Sequence, residues 1–448
     1  MLPVVLSAQE APVSVSFTPP DGWEEGDEVE MIIDYGSEDY ELKNYDIFSI
    51  GFSQQYFNIE KTKEILAKKI YDSYLPMNQL LLKLFKEHGS KFKVSFSISG
   101  VTLDLFEKYF PDMISSFKEL AKTGNVEFLA ETYYHSLSSL YSKDEFEKQV
   151  KIHSRRIEEL FNQKPTTFRN SELLYSNEIG EMISDMGFSS TIAFGWNSVL
   201  KLKSPNSLYK VHNQKKDVNI FLGNPQLSSD LEEKFSDTSW MHYPLSSQTY
   251  CSWISTLLEK EDLVNIFLEY ETFGITHRKD SGIFDFFEHL ISHSLANSLE
   301  FSTPSLITNH LEAKETIDIP STISWTNTFE DAFSWTGNPM QKQSSAELYE
   351  LGSMISEIDD PMLSEQFRIL TNSNYFYKMC THLETKQYFH GKFSHHETPY
   401  DSYIHFMNIL RDLTLRVKQK YEEKIVSKGV DTSSSTSSLE ELRTLAMR

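Results

Sequence analysis

The stretch Val264–Gly274, VNIFLEYETFG, changes character halfway along. Val264 to Leu268 are almost all apolar and include the β-formers Val264 and Ile266. Glu269, Tyr270, Glu271 and Thr272 follow, and Gly274 closes the run. A short apolar run that ends in carboxylates predicts a buried strand whose C-terminal end opens into a site. Carboxylates there are costly to bury without a role. The pattern recurs. Phe92–Ile98 reads as a strand ending in Ser99-Gly100. Gly124–Ala130 ends at Glu131, with His135 just beyond, and Thr166–Asn170 is followed by Glu172. Thr191–Phe194 and Val218–Leu222 are further short strands.

Helical spacing fills the intervals. Lys61–His88 predicts two helical pieces divided at Pro76, and Leu103–Lys122 one broken at Pro111. Ser142 and Glu145 form a capping-box pattern ahead of Phe146, Val150, His153 and Ile157 on one face. Ile179–Met186 ends at Gly187, a usual C-terminal residue. Strands alternating with helices of this length predict parallel βαβ units. Polar groups stand at four separate strand ends: Ser97 and Ser99, Glu131 and His135, Arg169 and Glu172, Glu269 and Glu271. That convergence favours a parallel β/α barrel over an open doubly wound sheet.

After about residue 320 the strands stop. Ser345–Ile358, Pro361–Leu370 and Tyr400–Glu423 read as helices, with Leu348, Leu351 and Ile355 on one face and Met407, Leu410 and Val417 on another. The expected organisation is a mobile lead-in over 1–30, a barrel domain over 31–320, a helical bundle over 321–426 and a low-complexity tail over 427–448, with a short helix at Leu439–Met447.

Composition narrows the partners. The 448 residues are 39% hydrophobic and carry a net charge of −23. Nucleic acid and anionic membrane both need a basic face, so neither is expected as a partner, and a neutral substrate fits. Two distant cysteines, Cys251 and Cys380, make neither a disulfide framework nor a zinc motif, and a cytoplasmic setting is expected. The N-terminal MLPVVLSAQEA lacks the basic region of a signal peptide. His395-His396 has no carboxylate or cysteine at ligand spacing and reads as surface.

Two carboxylates from different strands of a barrel suggest glycoside cleavage, one as nucleophile and one as acid. Glu172 and Glu269 are the obvious pair. Arg169, three residues before Glu172, suits an ionised partner, while the apolar run before Glu269 suits a raised pKa. The bland alternative is a set of ordinary ion pairs at strand ends. Trp325 and Trp335 either stack on sugar rings or fill the core.

Several longer stretches carry a family resemblance. EFLAETYYHSLSSLYS (Glu127–Ser142), FRNSELLYS (Phe168–Ser176) and EYETFG (Glu269–Gly274) resemble signature regions of the α-amylase group of glycoside hydrolase family 57. KVSFSISG (Lys93–Gly100) and ISWTNTFEDAFSWTGNPMQ (Ile323–Gln341) are similar as well. The resemblance implies an incomplete seven-stranded β/α barrel followed by a helical domain. It also implies a retaining hydrolase or transglycosylase, without metal or cofactor, acting on α-1,4-linked glucose polymers of the glycogen kind or their oligosaccharides. Glu172 takes the nucleophile's position and Glu269 that of the acid/base. Glu131, His135, Arg169, Glu271, Asp331 and Trp335 fall at positions expected to bind the α-glucan.

The chain departs from the family pattern at identifiable places. A His-Gln-Pro triplet is replaced by Ser37-Glu38-Asp39, and the aspartate that opens the last motif is Glu269. Where the family continues Glu-His after that motif, this chain has Ile275-Thr276, with His277 one step late. Glutamate's extra methylene moves the carboxyl by about 1 Å, a displacement worth about 100-fold in rate. The resemblance therefore implies either an enzyme of weakened activity or a catalytically degenerate α-glucan-binding or regulatory protein on the same scaffold.

Overall fold

The computed structural model describes residues 2–8, 28–34, 38–212, 217–326, 329–382 and 398–427. The chain forms two compact units. The first comprises Met1–Glu38, Lys63–His135 and Phe146–Ala332, and the second Asp39–Thr62, Ser136–Glu145 and Phe333–Arg448. The longest piece of the first unit ends at Ala332, where the patterning places a boundary at 320. The second unit also takes two short pieces from within the stretch assigned to the barrel.

The first unit is α/β. Its strands are β1 (Leu2–Ala8), β2 (Glu28–Asp34), β3 (Val94–Ser97), β4 (Val126–Phe128), β5 (Thr167–Arg169), β6 (Ser190–Phe194), β7 (Tyr209–Val211), β8 (Asn219–Gly223), β9 (Leu263–Glu269), β10 (Leu299–Ser302) and β11 (Glu315–Ile317). They form a six-stranded and a five-stranded sheet. Pairing is parallel along β9–β2–β3–β4 and along β5–β6–β8. β1 is antiparallel to β9 and β10, and β7 is antiparallel to β8. The sheets meet along two seams. Ala130, beyond β4, bridges Phe168 of β5 in parallel, and the Asn224 N–H donates to the Asn265 carbonyl at 2.7 Å. β3 and β6 are buried at every position, as strands covered on both faces must be.

The two strands at the N-terminus were not expected. The lead-in contains β1 and the start of β2, while residues 9–27 lie outside the described residues. β2 reads EVEMIID, and its charged residues hide a strand whose Met31, Ile32 and Ile33 are fully buried. The helix breaks fall as the prolines dictate. Ile59–Lys69 runs into a wide π-type turn, Ile70–Tyr74, before Leu75–His88 with Pro76 in its first turn. Gly100–Tyr109 gives way to Pro111–Lys122, since proline lacks the N–H a helix interior needs. Asn177–Met186 is capped by Ser176 and ends at Gly187, whose φ of 88° suits glycine.

The second unit is built mainly from helices Pro339–Ile358, Pro361–Leu370 and Pro399–Ser427. Asn338 and Gln341 form a complete capping box ahead of the first. Ser142 Oγ accepts the Glu145 N–H at 3.4 Å, and the Glu145 carboxylate pairs with Arg368 at 2.8 Å. Leu348, Leu351, Phe406, Leu410, Leu413 and Val417 are buried and form the apolar faces that the spacing predicts. The expected tail, its short helix and His395-His396 lie outside the described residues.

Candidate active site

Glu172 sits on a tight corner just past β5. Glu172 and Leu173 both have positive φ, 56° and 50°, which is uncommon for residues with a Cβ. Such strain persists only where the surroundings over-determine it. Here they do. The Leu173 N–H donates to the Asn170 carbonyl at 3.0 Å, and the Leu174 N–H to the Ser171 carbonyl at 3.1 Å. Asn170 Nδ2 donates to the Leu174 carbonyl at 2.8 Å, and the Thr132 and Ser171 hydroxyls lie 2.7 Å apart. The corner delivers the Glu172 carboxylate into a nest of donors. Trp325 Nε1 donates to Oε2 at 2.7 Å, and His135 Nε2 lies 3.4 Å from Oε1. Trp325 is held there because Ile323 pairs with Tyr175, just past the corner, through two backbone hydrogen bonds of 2.8 and 3.0 Å.

His135, itself at a positive φ of 50°, bridges two carboxylates, with its Nδ1 2.9 Å from Glu131 Oε2. Burial works to lower the His135 pKa, but the bonds to Glu131 and Glu172 outweigh it and raise it. Glu131 answers in kind. Burial works to raise it, yet the His135 bond, with Arg169 adding to it, pulls the carboxyl down to about 2. Ser97 Oγ, at the end of β3, donates to Glu131 Oε1 at 2.8 Å. The Glu131 N–H donates to His153 Nδ1 at 3.2 Å, while His153 Nε2 donates to the Ile98 carbonyl at 2.8 Å. That arrangement makes His153 a neutral structural imidazole, and burial lowers its pKa accordingly. Arg169 is buried among the charges of Glu131, Glu172 and Glu269.

Glu269 ends β9 in the opposite environment. Burial and then the neighbouring charge of Glu271 push its carboxyl up to about 7, and Glu172 adds to the rise. Its N–H donates to Glu232 Oε1 at 2.7 Å. Burial and the charge of Glu269 hold Glu232 well above the usual carboxylate range. Glu271 turns away into its own cluster, with Lys69 Nζ 3.1 Å from Oε1 and the Tyr74 hydroxyl donating to it at 2.5 Å. Lys69 pairs also with Glu38 at 2.8 Å. Burial would raise Glu271, but Lys69 and Tyr74 together hold it below the usual range. The π-type turn clamps this end of β9. Ser73 Oγ donates to the Tyr270 carbonyl at 2.8 Å, and Gly274, at φ 103°, packs where a Cβ would stand 1.9 Å from the Asp72 carbonyl oxygen.

A cleft of about 530 Å³ reaches the pair through their partners, Trp325 on Glu172 and Glu232 on Glu269, rather than being lined by the two residues themselves. Glu232 and Trp325 line it together with Trp196, Asn206, Asn224 and Gln226. Amides and aromatic rings, with the carboxylates of Glu233, Glu261 and Glu330 also in the lining, suit a hydroxyl-rich ligand.

The structure thus gathers Glu131, His135, Arg169, Glu172 and Glu269, and links Glu271 to them through Glu269. Asp331 is exposed and lines a separate depression with Lys203 and Ile317. Trp335 requires a correction. It is fully buried in the second unit, 5.5 Å from the Tyr377 ring, and a ring without exposed surface cannot stack on a sugar. Of the two, Trp325 is the one at the site. His277 also serves the scaffold: it is buried, with Nε2 donating to the Leu231 carbonyl at 2.7 Å. Sequence reasoning missed Glu232, Lys69 and Tyr74. Of the replaced triplet, Glu38 joins the Lys69 cluster, and Ser37 lies outside the described residues.

Comparison with known proteins bears on the family and the fold. The model of glycosyl hydrolase family 57 matches residues 39–320. A protein of Methanocaldococcus jannaschii, provisionally named an alpha-amylase, is 35% identical over 379 residues, which span 82% of this chain and 79% of that protein. Among solved structures, a family 57 branching enzyme from Thermococcus kodakaraensis superimposes with a TM-score of 0.65 at 12% identity, covering 92% of this chain and 93% of that one. A 4-alpha-glucanotransferase from Thermococcus litoralis gives 0.60 at 12% identity, covering 80% of this chain and 57% of that one. At such identities the solved structures speak for the fold.

Proposed function

Because the chain belongs to glycosyl hydrolase family 57, we propose that it cleaves or transfers α-1,4-linked glucan by a retaining, two-carboxylate mechanism. Glu172 is the nucleophile and Glu269 the acid/base. The supporting observation is the contrast in their surroundings: donors and cations converge on Glu172, while burial and like charge raise Glu269 to about 7. In the first step the Glu172 carboxylate bonds to the anomeric carbon as the glycosidic bond breaks. The proton of Glu269 passes to the leaving oxygen. In the second step Glu269, now ionised, takes a proton from water or from an acceptor hydroxyl, whose oxygen displaces Glu172. The 530 Å³ cleft is the site for the glucan. The scaffold reads as seven parallel strands, β2, β3, β4, β5, β6, β8 and β9, joined through the Ala130–Phe168 and Asn224–Asn265 contacts.

The test is incubation of the purified protein with maltooligosaccharides and amylose beside a Glu172→Gln variant. New reducing ends or redistributed chain lengths in the parent alone are expected. Equal signals from the two proteins would overturn the enzymatic reading. Glucan binding without turnover would then favour the degenerate, binding form of this scaffold, which the exchange of aspartate for Glu269 also suggests.

A further inference from the structure

Glu232 has no assigned role, yet it touches the backbone of the residue proposed to move the proton. The N–H groups of Phe267 and Glu269, two apart on β9, point the same way. Side chains one turn apart on the helix Pro225–Glu232 accept them: Ser228 Oγ at 3.0 Å and Glu232 Oε1 at 2.7 Å. The helix is fixed at three points. Asn224 caps its start by accepting the Leu227 N–H at 3.0 Å. The Tyr250 hydroxyl donates to the Leu227 carbonyl at 2.8 Å, and His277 to the Leu231 carbonyl at 2.7 Å. Ser228 demonstrates that a neutral hydroxyl is enough to satisfy a strand N–H here. At Glu269 the chain uses a carboxyl instead, in a region already occupied by Glu172, Glu269 and Glu271, and that carboxyl lines the cleft.

We propose that Glu232 is a positioning residue for Glu269 that also offers its carboxyl to a sugar hydroxyl in the cleft. This rests on the two-carboxylate reading. A third ionised acid would repel Glu269. A neutral one accepts the backbone N–H through one oxygen and donates from the other, and the raised pKa of Glu232 supports that state. Among the described residues, the charged groups that bear on the pair are Glu172, Glu271, Lys69 and Arg169 beside Glu269, and Glu233 beside Glu232.

The test compares Glu232→Gln with Glu232→Ala. The amide keeps both an acceptor and a donor, while alanine keeps neither. With maltoheptaose, Glu232→Ala is expected to lose about 100-fold in kcat, as a displaced catalytic group does, and Glu232→Gln to stay near the parent. A second readout needs no turnover: the ¹³C carboxyl titration of Glu269, identified by its loss in Glu269→Gln. Its midpoint is expected to fall by about one unit in Glu232→Ala, as water replaces the buried carboxyl, and to match the parent in Glu232→Gln. Unchanged kcat and midpoint in Glu232→Ala would overturn the proposal, as would a glutamine variant as damaged as the alanine one. A parent without turnover overturns the two-carboxylate reading alone, and the titration still decides the role of Glu232.

Discussion

Glu172 and Glu269 carry the same side chain at the ends of two strands, yet the protein surrounds them in opposite ways. The corner after β5 is strained and fastened by four hydrogen bonds, and it faces an indole N–H, an imidazole and a buried guanidinium. The end of β9 is unstrained extended backbone, and burial and the acids Glu271 and Glu172 outweigh the cationic charge near it. Two copies of one residue type are thereby given opposite settings by environment alone. The comparison also separates what this chain keeps from what it changes. On the motif resemblance, the β5 corner is expected to retain the family's glutamate. The β9 end, where glutamate replaces aspartate, is the one enclosed by unexpected partners: Glu232, and the Glu38–Lys69–Tyr74 cluster behind Glu271.

The comparison breaks most severely at the β5 corner. Glu172→Gln keeps size and hydrogen bonds but removes the nucleophile, and kcat on maltoheptaose is expected to fall about 10⁴-fold. A smaller loss would move the nucleophile elsewhere. At the β9 end, Glu269→Asp restores the family residue and withdraws the carboxyl by about 1 Å. If Glu232 and the π-type turn have fitted the backbone to glutamate, kcat falls about 100-fold. A gain in kcat would mean that the strand end still suits aspartate. Trp325→Phe removes one N–H donor to the carboxylate while keeping an aromatic wall. A hydrogen bond to a charged group is worth about 1.5–3 kcal/mol, so kcat/KM should drop by a factor of about 10 to 150. Thermal melts of each variant separate these losses from unfolding.

What the sequence disclosed follows from the range of each signal. Proline breaks at Pro76 and Pro111, the Ser176 cap and the apolar runs of β3, β6 and β9 are local, and they were legible. β2 was not. Glu28 and Glu30 mask its alternation, and the strand is recognisable only once Glu30 stands opposite Asn265 of β9. In the site, Glu131, His135, Arg169 and Glu172 lie within short stretches that share motifs, and they do meet. Glu232, Lys69 and Tyr74 reach β9 from remote helices, so no spacing announces them. Nor could spacing decide between the tryptophans. Trp325 reaches Glu172 because Ile323 pairs with Tyr175, and Trp335 is buried beside Tyr377.

The finest distinction concerns how the β9 end keeps its proton. Glu269 must be protonated to assist departure of the leaving group, so kcat/KM should fall as pH rises through about 7. After burial, the largest contribution to that raised value is the charge of Glu271. Glu271→Gln removes the charge while its amide still meets the Tyr74 hydroxyl, and Lys69 keeps Glu38 as a partner. With less repulsion Glu269 ionises more readily, its pKa falls, and the alkaline limb should move to lower pH by about one unit or less. The acid limb of the profile should stay in place. If both limbs move together, the two carboxyls are titrating as one coupled pair, and the contrast between the two strand ends is weaker than their surroundings imply.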